Sequence, residues 1–144
     1  MHLFKNKLLL ALITICFGLV HMSFVSIEKN QVMEVHDGDI FKDIENAMAL
    51  GNAKLLANYM STSIEIEING QEGIYSKSQA EQVLNKFFDK YPPRSFSLSH
   101  KGNSAAGARF AVGDYVTGKE HTFRVTIFLK KIGEQYLIQE IEFE

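Results

Sequence analysis

A single cysteine, Cys16, occurs in the 144 residues, and it falls in an N-terminal stretch expected to be removed. Without it the folded part holds no thiol, which excludes a disulfide scaffold and a thiol enzyme and leaves stability to packing. Proline is as sparse: Pro92 and Pro93 are the only two, and they mark one helix end. Basic residues are outnumbered, 15 against 17 acids. Loss of Lys5 and Lys7 with the leader takes the net charge from −2 to about −4. No basic patch emerges, which argues against nucleic acid, since that affinity is carried largely by Lys and Arg on phosphates. Repeats and low-complexity stretches are also absent. A hydrophobic share of 46% with a charged share of 22% is ordinary for one globular domain.

Long apolar runs are equally scarce, and the one from Leu8 to Val20 follows Lys5 and Lys7 with no acid before it. That order is the grammar of a signal peptide. The run is shorter than the roughly 20 residues a membrane-crossing helix needs. Residues 1–26 are therefore expected to be a cleaved leader, 27–38 a linker and 39–144 the domain. Gly18 to Ser26 contains no clean small-x-small cleavage site, so an uncleaved anchor is the alternative. Cys16 is a poor lipid-acylation site, because Ile13, Thr14 and Ile15 precede it where a small residue is needed. The chain is expected to be exported, periplasmic or secreted, touching a membrane only if the leader persists.

Asp39 is placed to cap a helix carrying Ile40, Ile44, Ala47 and Met48 on one side, with Gly51 as its left-handed stop. Asn52 caps a second helix, whose apolar side is Leu55, Leu56, Tyr59 and Met60. The period then becomes two, with Ile64, Ile66 and Ile68 alternating with Glu65 and Glu67, a half-buried strand. Asn69-Gly70 is a hairpin turn signal. Ser76 and Gln79 form a capping box for a third helix with Ala80, Val83, Leu84, Phe87 and Phe88 as its stripe, ended by Pro92-Pro93. From Ser95 onward four strands follow. The class is α+β.

This order of elements resembles the nuclear transport factor 2-like superfamily. The stretch Asn69 to Glu81, with Phe87-Phe88, Pro92-Pro93 and His100-Lys101-Gly102, is similar to a family of small exported bacterial domains, domain of unknown function 4783. The resemblance covers Asp39 to Glu144. It implies a curved antiparallel sheet wrapped around helices, a cystatin-like or nuclear transport factor 2-like cone with a pocket, and no particular activity.

A tight turn at Lys119-Glu120 sets Val116, Asp114, Val112 and Phe110 against Phe123, Val125, Ile127 and Leu129. The preceding strand then sets His100 against Phe110, Leu98 against Val112 and Phe96 against Asp114, so that one apolar face results. The pocket is accordingly expected to be lined by Tyr59, Tyr75, Phe96, Leu98, His100, Phe110, Val112, Asp114, Phe123, Val125 and Ile127. The opposite face carries Ala111, Tyr115, Thr126 and Phe128 with Arg124 and Lys130; it is either a solvated face or a homodimer surface through Tyr115 and Phe128. Tyr136 and Ile138 are out of phase with Ile141 and Phe143, which calls for a β-bulge near Gln139-Glu140 and leaves the direction of Glu140 open.

Asp114 is the one carboxylate on the expected apolar face, hence the candidate general base. His100 and His121 lie ~13 Å along the strands from it, too far to assist. No metal-ligand spacing is present, and the glycines fall in turns rather than in a phosphate cradle, so neither metal nor cofactor is expected. The leading reading is a non-enzymatic module of the cell envelope that binds a small apolar ligand or a partner protein. The alternatives are an isomerase- or dehydratase-like pocket enzyme using Asp114, and a purely structural accessory domain.

Overall fold

A computed structural model describes residues 39–104, 107–119 and 121–144. The expected leader and linker, Cys16 included, lie outside them. Helix α1 (Ile40–Ala49) buries Ile40, Phe41, Ile44, Ala47 and Met48. Its expected cap is not made: the Asp39 side chain caps nothing and instead meets the Lys101 ammonium at 3.2 Å. Gly51, at φ +61°, reverses the chain, a conformation a Cβ would strain. Asn52 Oδ1 accepts from the Leu55 amide at 2.9 Å and caps the short helix α2 (Ala53–Ala57). Tyr59 and Met60 do not extend that helix as expected; the chain leaves it at Asn58, and Met60 opens β1 (Met60–Ile68).

Asn69 and Gly70, both at positive φ, turn β1 into β2 (Gln71–Ser76) as a primed hairpin requires. Ser76 closes β2 and starts α3 (Lys77–Lys90) with no intervening loop, through the expected capping box with Gln79. The long strands β3 (Pro93–Asn103), β4 (Arg109–Thr117), β5 (Thr122–Ile132) and β6 (Gln135–Phe143) complete a six-stranded sheet ordered β2-β1-β6-β5-β4-β3. The sheet is not wholly antiparallel. β6 returns along β1 in parallel, pairing Ile66 with Ile141 and Ile68 with Phe143, so the four-stranded meander joins the β1–β2 hairpin through β6 and β1.

The helices pack on one face of this sheet around an aromatic cluster. The Phe87 ring lies 4.2 Å from that of Phe143, 5.2 Å from Phe123 and 5.6 Å from Tyr115. Such pairs contribute about 0.5–1.5 kcal/mol each beyond area burial.

The expected register of β4 is overturned. Thr117, not Gly118, faces His121: its amide donates to the His121 carbonyl at 2.8 Å, and Val116 pairs with Thr122, Asp114 with Arg124 and Phe110 with Phe128. One residue of slip sends every β4 side chain to the other face. Ala111 and Tyr115 are therefore wholly buried beneath the helices, while Asp114 is exposed on the outer face and Phe110, Val112 and Val116 are half-buried there. Size decides this: α1 packs against β3 and β4, where Ala111 and Gly113 leave room. A Cβ on Gly113 would sit 2.5 Å from the Ser97 carbonyl oxygen. The expected β3–β4 pairs are overturned too: Phe96 pairs with Tyr115, Leu98 with Gly113 and His100 with Val112, and the register shifts between Leu98 and His100, a bulge whose Leu98 amide is taken up by Glu45 Oε1 of α1 at 2.8 Å.

Candidate functional site

The direct passage from β2 into α3 makes the helix run back along the hairpin it has just left. An open groove of about 590 Å³ lies between them. Its floor is Ile66, Ile68 and Phe87; its walls are Tyr75 and Val83 at one end, and Asn69, Gln71, Glu72, Lys86, Lys90 and Tyr91 toward the other. The volume falls within the usual range for small-ligand sites.

Two sequence features shape the groove. Gly73, opposite Ile66, carries no side chain, and a Cβ there would stand 2.4 Å from the Tyr75 hydroxyl, so the Tyr75 ring lies over the glycine along the wall. On α3, Val83, Lys86, Phe87 and Lys90 recur at the three- and four-residue spacing that puts side chains on one helix face. Among the described residues neither lysine has an ion-pair partner. The Lys90 ammonium lies 5.1 Å from the Tyr91 ring centroid, and Tyr91 is fixed in turn by its carbonyl, which accepts from the Tyr115 hydroxyl at 2.7 Å. Burial raises the Tyr115 phenol well above its ordinary range, so it stays a donor at any ordinary pH.

Of the residues expected to line a pocket, only Tyr75 borders this groove. Phe96, Phe123, Val125 and Ile127 are buried core, and Leu98 packs against it half-buried. Tyr59 is buried near Asp43, and its phenol is raised by burial first and then by the Asp43 charge and hydrogen bond. His100, Phe110, Val112 and Asp114 stand on the outer face, with the His100 ring 5.8 Å from that of Phe110. Asp114 is exposed and lies across from Arg124, so it does not interrupt the apolar inner face as expected. The expected dimer face also loses Tyr115 and Ala111 to the core and keeps Phe128, whose ring is 6.5 Å from Phe110.

The outer face holds an unexpected feature toward its other edge. Glu140 emerges outward from the bulge at Gln139, beside Phe128 of β5 and Glu65 of β1, with Glu142 and Glu67 one pair further on. Desolvation first, then the hydrogen bond and charge of Glu142 and the charges of Glu65 and Glu67, push the Glu140 carboxyl up to about 7. Among the described residues no group of three acids, histidines or thiols is placed to hold a metal ion.

A family profile described as a domain of unknown function (DUF4783) matches residues 41–144. Two solved structures of that family are similar. One from Bacteroides ovatus is 29% identical, with TM-score 0.66 over 70% of this chain and 90% of its own. One from Bacteroides uniformis is 24% identical, with TM-score 0.69 over 74% and 96%. An uncharacterized cystatin fold protein from Novosphingobium aromaticivorans, 13% identical, shares the fold at TM-score 0.56 over 72% and 93%. The architecture is thus the α+β cone of the nuclear transport factor 2-like and cystatin-like folds. No curated protein matches the chain.

Proposed function

The chain belongs to the DUF4783 family, and from that footing we propose that it is an exported, non-catalytic module that holds a small, largely apolar ligand in the groove between the β1–β2 hairpin and α3. The observation that carries this reading is the groove itself: an open volume of about 590 Å³ floored by Ile66, Ile68 and Phe87. Catalysis is disfavoured because among the described residues no side-chain hydrogen bond or ion pair orients Lys86, Lys90 or Glu72 toward a partner, and proton transfer needs a positioned group. Export rests on Lys5, Lys7 and the Leu8 to Val20 run.

A neutral solvatochromic dye, Nile red, tests the reading. The purified protein should enhance its emission, and Val83→Trp, which fills the apolar end of the groove, should abolish the enhancement while the melting temperature stays within a few degrees. Val83→Ala should retain it. No enhancement with the unaltered protein, or full enhancement in a folded Val83→Trp, would overturn the reading.

A further inference from the structure

We infer that the ligand is a single-chain amphiphile bearing one carboxylate, its head at Lys86 and Lys90 and its chain over Phe87 toward Val83 and Tyr75. The inference rests on the groove being the binding site and adds the chemistry of what it takes. Chain direction supplies the polarity. α3 starts where β2 ends, so Val83 lies toward Tyr75 and Lys90 lies toward the Asn69-Gly70 turn. Between Val83 and Lys90 the helix rises about 10 Å, which suits a medium-length chain laid along the floor.

Charge complementarity fixes the head. Two ammonium groups one helical turn apart border the groove without an ion-pair partner among the described residues. Their stems cover apolar floor while their heads stay at its rim, as long cationic side chains do. Glu72 stands on the hairpin across the same groove. It repels a second anion, so the site favours one negative charge held near α3. A two-chain phospholipid would have to leave a tail outside an open groove of this volume.

Displacement of Nile red from the purified protein by decanoate, decanol and decylamine tests the inference, with anionic phospholipid vesicles as a fourth arm. Exposed ion pairs are individually weak, so decanoate should displace the dye about tenfold more tightly than decanol at low salt, with decylamine weakest. Raising the salt should narrow that gap. Lys86→Gln and Lys90→Gln should each reduce decanoate affinity about threefold and leave decanol unchanged, whereas Glu72→Gln should strengthen decanoate. Equal affinity for decanoate and decanol would overturn the carboxylate head yet leave the groove standing as a binding site. Failure of every chain and of the dye would overturn both readings. Vesicles that compete as well as decanoate would overturn the single-chain ligand in favour of a membrane headgroup.

Discussion

Replacing Glu140 with Gln removes the carboxylate that three neighbours and partial burial oppose. In the folded protein that carboxyl titrates near 7, raised from 4.5. Between these two values the folded state holds a proton that the unfolded chain has already released, so the group's contribution is fully present below the lower value and is lost as pH rises through the upper one. Unscreened, the rise corresponds to roughly 3 kcal/mol. Glu140 is only half-buried, and solvent screening brings the effect nearer ~1 kcal/mol. Glu140→Gln has no such group to ionise. It should match the unaltered protein at pH 4.5 and exceed it by about 4 °C in melting temperature at pH 8, the shift expected for ~1 kcal/mol in a domain of this size. Paired thermal melts across pH 4.5 to 8 measure it. A difference between the two proteins that does not change with pH, or one that grows toward low pH, would refute the reasoning.

Gly113→Ala places a Cβ 2.5 Å from the Ser97 carbonyl oxygen, a backbone atom that cannot swing away, so a loss of about 1–3 kcal/mol is expected in denaturant unfolding. Asp114→Asn changes an exposed residue across from Arg124 and should move stability by no more than about 0.5 kcal/mol without affecting dye binding. If the half-buried rings of Phe110 and Phe128 form a pairing face between two copies, sedimentation at micromolar concentration should show a dimer that Phe128→Glu disrupts. A monomer throughout would retire that face.

Local signals in this sequence were mostly sound, although Asp39, expected to cap α1, makes no side-chain cap. Asn52, Asn69-Gly70 and the Ser76–Gln79 box each mark a cap or a turn that the structure contains. The bulge at Gln139 was legible from the broken alternation between Ile138 and Ile141, which the register shift in β6 reproduces. Register in β4 was not legible, because counting apolar side chains favoured Phe110, Val112 and Val116 for the inside. Space under α1 favours Ala111 and Gly113, and Tyr115 enters the core by giving its hydroxyl to a backbone carbonyl. A preference set by volume and by one distant hydrogen bond leaves no trace in hydrophobic alternation. The groove was missed for a related reason. Val83 and Phe87 were readable as the buried stripe of α3, but no motif or spacing singles out Lys86 and Lys90 beside them. Only the direct junction at Ser76, which lays the helix back along the hairpin, brings those lysines over Ile66 and Ile68.

Amide hydrogen exchange of the purified protein, read by mass spectrometry with and without saturating decanoate, tests the central claim most directly. Occupancy of the groove should slow exchange in β1–β2 and in the second half of α3, from Val83 to Tyr91, and leave β3 and β4 unchanged. Protection centred on the outer face around Phe110 and Phe128, or none in the hairpin and helix while the ligand is bound, would contradict it.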